Sequence, residues 1–144
     1  MADFVADSSV AIAWVAPAQS NETTNRLRDE IESGTRFVVP GLWTFEVANA
    51  LLILKRRAKL DSQNCAQARG YLIDLSPVID DEGVRLALGK ISELAEKYAL
   101  SIYDATYLEL ALRRRMPLAS RDSALNKAAK LTGVKTLLFD SGRL

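Results

Sequence analysis

The stretch Phe4-Val5-Ala6-Asp7-Ser8-Ser9-Val10 decides the fold class. Three apolar residues meet an acid and two serines, and a second apolar run follows through Ala16. That order predicts a short buried strand delivering the chain into a helix N-terminus with a choice of capping residues, the helix stopping near Pro17. The alternation repeats outward. Residues 22–33 are amphipathic through Leu27 and Ile31 and end at Gly34, and Arg36-Phe37-Val38-Val39 is strand-like and closed by Pro40-Gly41. Helices are expected over residues 42–57 and 61–75, then a strand at Pro77-Val78-Ile79 and one helix over residues 81–97. Residues 101–114 read as a further helix, Met116-Pro117-Leu118-Ala119-Ser120 as a fourth strand, 122–131 as a helix closed by Gly133, and Thr136-Leu137-Leu138-Phe139 as a fifth strand. Short apolar strands alternating with helices predict an α/β fold with a parallel sheet covered on both faces.

The 144 residues suit one domain spanning 1–144, with no repeat, low-complexity tract or linker. Nineteen Lys and Arg against eighteen Asp and Glu leave a net charge of +1, so a polyanion must be met by a local patch. The chain contains no histidine, which removes Ser-His and Cys-His nucleophile pairs, imidazole acid–base chemistry and His-dependent zinc sites. The lone Cys65 has no internal disulfide partner and reads as a small packed helix residue, compatible with a reducing compartment. The apolar run 10–16, followed by Ala16-Pro17-Ala18, imitates a signal peptide, but Asp3 and Asp7 stand where basic residues belong. No apolar stretch approaches the roughly 20 residues of a membrane span, so the expectation is a soluble, cytoplasmic protein with no membrane contact.

Most acids on helices face water, so the informative ones interrupt apolar patterns. Asp7 ends the first strand, and ligands of open parallel sheets collect beyond the carboxyl ends of strands. Glu46 lies on a helix whose next positions along the same stripe are Asn49, Ala50 and Ile53, with no cation near along the helix to pair with it. Asp104 heads the apolar stripe Tyr107, Leu108, Ala111, Leu112, and Asp122 follows the fourth strand at a helix start. Each has a plain structural use as well. Asp7 and Asp122 suit helix caps, Ser101-Ile102-Tyr103-Asp104 has the spacing of a capping box, and a distant Arg or Lys would serve Glu46. Four carboxylates packed together cannot all stay ionised without a cation, and oxygen ligands alone favour Mg²⁺ or Mn²⁺ over zinc. Ser9 and Asn49 add neutral oxygens beside Asp7 and Glu46.

Four blocks carry a family resemblance: residues 4–10, the segment Phe45-Glu46-Val47-Ala48-Asn49-Ala50-Leu51, the segment from Ser101 through Leu108, and the segment from Leu118 through Leu125. In order, they resemble the signature segments of PIN-domain ribonucleases, particularly VapC-type toxins of toxin–antitoxin pairs. The resemblance implies a three-layer α/β/α sandwich with a five-stranded parallel sheet and a Mg²⁺- or Mn²⁺-dependent endoribonuclease. It also implies a homodimer, and a cognate antitoxin whose C-terminal segment occupies the active-site groove. Carried over, the catalytic and metal-binding quartet is Asp7, Glu46, Asp104 and Asp122, with Ser9 and Ser120 as supporting hydroxyls and Ser120 standing where the pattern often has Thr. Asp7, Asp104 and Asp122 are the expected main ligands, Glu46 a ligand or an orienter of the attacking water, and Arg121 the candidate contact to RNA phosphate. The runs Lys55-Arg56-Arg57 and Arg113-Arg114-Arg115 are further candidates for positioning the substrate, although both end helices, where solvated cations complement the macrodipole. Rival readings are a PIN-like module that binds RNA or protein without cutting, and an Asp-dependent phosphatase, which expects a second Asp where Ser9 stands. A receiver domain using Asp80 or Asp81 expects paired acids where Ser8 stands.

Overall fold

The computed structural model describes residues 1–138. The chain opens with strand β1 (Phe4–Ala6) and helix α1 (Ser8–Val15), and passes a tight turn at Pro17–Gln19 into α2 (Glu22–Glu32). Then come β2 (Phe37–Pro40), α3 (Gly41–Arg56), α4 (Ser62–Asp74) and β3 (Val78–Asp80). After β3 follow α5 (Gly83–Leu86), a wide turn at Ala87–Ile91, α6 (Ser92–Tyr98), α7 (Ile102–Arg114), β4 (Leu118–Ala119) and α8 (Ser123–Leu131).

The strands pair in parallel in the order β3-β2-β1-β4. β1 is therefore central, with Val5 in register with Val38 on one side and Leu118 on the other, and all three of its residues fully buried. A strand covered on both faces must be apolar throughout, which is why Phe4-Val5-Ala6 does not alternate. Two connections carry the chain from β1 to β3 in one direction, and the third returns it past β1 to β4. Right-handed crossovers then place α1 to α4 on one face and α5 to α7 on the other, making three layers. Strand order reverses between β1 and β4, so a crevice opens beyond their carboxyl ends.

Phe37 centres the core on the α1 side, meeting Trp14 edge-on at 5.4 Å between ring centroids and Trp43 at 5.9 Å. Such pairs add roughly 0.5–1.5 kcal/mol beyond area burial. The indole N–H of Trp14 donates to the Thr24 carbonyl at 2.9 Å, tying α1 to α2. Cys65 is buried in the same core, as a small helix residue.

Three expectations need correction. The helix expected over residues 81–97 is broken, because Gly89 sits at φ −117°, ψ −106°, a backbone setting open to a residue without Cβ, and the chain widens there before α6. The sheet has four strands among the described residues rather than five. The segment expected as the fifth contributes a parallel bridge from Thr136 to Leu118, and Phe139 lies outside the described residues. Finally, two of the three residues in the run Arg113-Arg114-Arg115 are ion-paired rather than simply solvated. Arg113 donates to both Asp80 oxygens at 2.9 and 2.8 Å and to Glu109 at 2.8 Å, and Arg114 donates to Asp80 at 2.9 Å.

Asp80 closes β3 with its side chain almost wholly buried, and also accepts from the Glu82 N–H at 3.0 Å. The hydrogen bonds from Arg113 hold its carboxyl down at about 2 against the opposing effect of burial, aided by Glu82 N–H and Arg114. A carboxylate depressed below its unfolded value lends stability above pH 4 and withdraws it as pH falls toward 2. The guanidinium side chains are 29% and 35% exposed and keep part of their hydration. Asp80→Asn is therefore expected to lower the unfolding free energy at pH 7 by about 2 kcal/mol, below the roughly 3–5 of a wholly buried pair. Urea titrations should show the deficit narrowing as pH drops below 4, and an unchanged midpoint at pH 7 would refute the network's role.

Candidate active site

Asp7 follows β1 directly and caps α1, its Oδ1 accepting from Val10 N–H at 3.3 Å. Two hydroxyls complete its shell: Ser9 donates to Oδ1 at 2.6 Å and Ser120 to Oδ2 at 2.5 Å. Ser120 comes from the end of β4, so Asp7 bridges the two strand ends at which the order reverses. Ser9 also accepts from Arg121 N–H at 3.1 Å, and Ser120 from Asp122 N–H at 2.9 Å, pinning the β4–α8 loop across the crevice. The carboxyl is 5% exposed, and burial pushes it up to about 6 although the three hydrogen bonds pull it down.

The other three acids gather around this point. Asp122 caps α8 through Oδ2, which accepts from Leu125 N–H at 2.8 Å. Asp104 stands in the first turn of α7, its own N–H donating to the Ser101 cap at 3.0 Å. The Asp104 carboxyl is raised by burial, then by the charges of Asp122 and Glu46, and its own charge in turn raises Asp7. One acid thus feels the field of all the others. The capping uses anticipated for Asp7 and Asp122 are real, and they set each carboxylate at a helix start that faces the crevice.

Glu46 departs from expectation. The buried face of α3 is Trp43, Val47 and Leu51, while Asn49 and Ile53 are exposed and Ala50 only half-buried. Glu46 flanks the apolar face, and its partner is a phenol: Tyr107 on α7 donates to Oε1 at 2.6 Å. The sequence marked Tyr107 only as part of a buried stripe. Burial and then the Glu46 carboxylate hold the phenol protonated well above its ordinary range, with Ser8 acting on the same hydroxyl in the opposite sense. Of the supporting residues, Ser9 and Ser120 bind Asp7 directly, whereas Asn49 is exposed and forms no hydrogen bond with the quartet among the described residues. Arg121 is exposed, and its guanidinium reaches Gln19 at 3.5 Å. Lys55, Arg56 and Arg57 end α3 in solvent.

Among the described residues, no three acidic side chains form a ready-made metal cage. The Asp7, Glu46 and Asp122 carboxylates instead accept hydrogen bonds from the protein. The donor set itself fits a hard divalent cation: all four groups are carboxylate oxygens, and their repulsion is what such an ion would relieve. Ser9 where a phosphatase expects its second Asp, and Asp80 held by two arginines, leave the aspartyl-phosphate readings without their chemistry.

The sequence matches the PIN domain family over residues 4–131. No curated protein sequence matches it. Solved structures of the same fold include PAE2754 from Pyrobaculum aerophilum, at 18% identity and TM-score 0.70 over 94% of this chain and 84% of that one. FitAcB from Neisseria gonorrhoeae aligns at 18% identity and TM-score 0.65, over 96% of this chain and 97% of that one. VapBC2 from Rickettsia felis, bound to a DNA fragment from their promoter, aligns at 13% and 0.61, over 94% and 97%. At these identities the likeness is one of fold.

Because the Asp7 carboxyl sits at about 6 when folded against 3.8 when free, the stability it lends is full below pH 4 and is lost as pH rises through 6. Asp7→Asn removes the charge that burial penalises. In EDTA at pH 7.5 the variant should unfold at a higher temperature than the parent, by an equivalent of about 1–2 kcal/mol, with the advantage gone at pH 4. Equal melting temperatures at pH 7.5 would show that the three hydrogen bonds fully offset desolvation.

Proposed function

We propose that this chain, which belongs to the PIN-domain family, is a metal-dependent endoribonuclease and the toxin of a toxin–antitoxin pair. PIN domains are generally nucleases. The observation that carries the proposal is the buried Asp7 carboxylate at the strand-order reversal, electrostatically joined to Asp104, itself joined to Glu46 and Asp122. Asp7, Asp104 and Asp122 are the residues that would hold Mg²⁺ or Mn²⁺. Bound there, such an ion supplies a water of lowered pKa and a Lewis acid for the scissile phosphate. Ser9 and Ser120 fix the Asp7 carboxylate, so its oxygens do not have to be ordered at the moment of reaction. Glu46 would hold the ion or orient the attacking water for cleavage by direct hydrolysis. Arg121 precedes Asp122, and its exposed guanidinium reaches Gln19 at 3.5 Å, which leaves it placed to meet a phosphate.

The toxin role follows from the ordered resemblance of the four segments to VapC-type proteins, and a name of that type recurs among the structures sharing the fold. It brings with it a cognate antitoxin and a homodimer. Phe45, Val84 and Leu88, at 79%, 91% and 96% exposed, are apolar side chains of the kind a dimer interface buries. No helix among the described residues is long and apolar enough to cross a membrane, and the proposed place of action is the cytoplasm. The second reading, a PIN-like module that binds without cutting, draws on the protein donors that already engage the Asp7, Glu46 and Asp122 carboxylates.

Purified protein should cleave RNA in Mg²⁺ or Mn²⁺, stop in EDTA and resume when the ion is restored. Asp104→Asn should lower the rate by at least about a thousandfold with the circular dichroism spectrum unchanged; full activity in that variant sinks the quartet. In cells, expression should arrest growth and co-expression of the partner encoded beside it should relieve the arrest, whereas harmless accumulation of folded protein would overturn the toxin assignment.

A further inference from the structure

The Tyr107 hydroxyl stands at a junction of three helices. Its ring is 1% exposed on α7, one turn beyond Asp104. The hydroxyl donates to Glu46 Oε1 on α3 at 2.6 Å, across a sequence separation of 61. Ser8, the first residue of α1 and the neighbour of Asp7, acts on the same oxygen. A buried phenol is stiff: it has two side-chain torsions, both held by packing. A half-buried glutamate is not, and on α3 it has no cation to hold it.

We propose that Tyr107 is a positioning residue for the nuclease site, spending one oxygen of Glu46 on a fixed hydrogen bond so that the carboxylate presents its other oxygen alone, in one orientation, to the metal–water centre. This inference rests on the metal-dependent nuclease assignment. The geometry explains why the hydroxyl is there at all. A Phe would fill the same volume and avoid burying a polar group, so the phenol is retained at a cost unless its bond to Glu46 has a use. It also narrows the part Glu46 plays: with one oxygen engaged by the phenol, a single contact through the other oxygen is favoured over bidentate ligation. The oxygen left over serves a single contact, and the distance between α3 and α7 sets where that contact falls.

The test is a double-mutant cycle on the full chain with Tyr107→Phe, Glu46→Gln and the pair, read by Mn²⁺ affinity in calorimetry and by single-turnover RNA cleavage. Tyr107→Phe should weaken Mn²⁺ binding by about tenfold and slow cleavage by about ten- to a hundredfold, with RNA KM and melting temperature little changed. In the Glu46→Gln background the same substitution should leave Mn²⁺ affinity unaltered, because the group through which it acts is gone. An equal loss in both backgrounds would reduce Tyr107 to general packing and overturn the proposal. So would parental Mn²⁺ affinity and rate in Tyr107→Phe. If the parent protein neither binds Mn²⁺ nor cleaves RNA, it is the nuclease assignment that fails instead.

Discussion

Asp7 is buried where the most enclosed strand of the sheet ends, and the cost of removing that carboxylate from water shapes this end of the molecule. Three donors answer it, from Ser9, Ser120 and the α1 backbone, and they come from two strand ends. The hydroxyls that stabilise the charge are the same ones that tie down the β4–α8 loop through Arg121 N–H and Asp122 N–H. Satisfying one carboxylate thereby brings a second into place. Asp104 and Glu46 complete the group from α7 and α3, which approach the crevice from opposite faces of the sheet.

At the proposed site, helix capping and catalysis would share residues. A helix start offers backbone N–H groups that favour a negative charge, so Asp7 and Asp122 are held by the termini they cap while facing outward from them. The structural use is the means of positioning. Burial, and then the charge of neighbouring carboxylates, pushes Asp7 and Asp104 upward, a cost that a divalent cation bound at the proposed site would relieve.

Much of this was legible in the sequence because it is local. Phe4-Val5-Ala6 running into Asp7 predicts both the strand and the acid at its end, and Ser101 and Asp122 announce helix starts. Glu46 stood out for a reason that proved partly mistaken: the buried face of α3 runs through Trp43, Val47 and Leu51, one position away from the stripe assigned to it. What was not legible depends on partners far along the chain. Tyr107 looks like any core aromatic until α3 places Glu46 against its hydroxyl. The end of β3 gives no hint that Asp80 will meet two arginines 33 and 34 positions later. The break at Gly89 is invisible to periodicity, because a glycine within an amphipathic pattern is usually tolerated.

The bond between Ser120 and Asp7 spans 113 positions. Contacts that distant are the last that a growing polypeptide is able to make, since domains form as the ribosome releases them from the N-terminus onward. β1 and its acid stay unpaired on the β4 side until the chain has been made through Ser120. The four acids are accordingly brought together only once Asp122, the last of them in the sequence, has joined the fold.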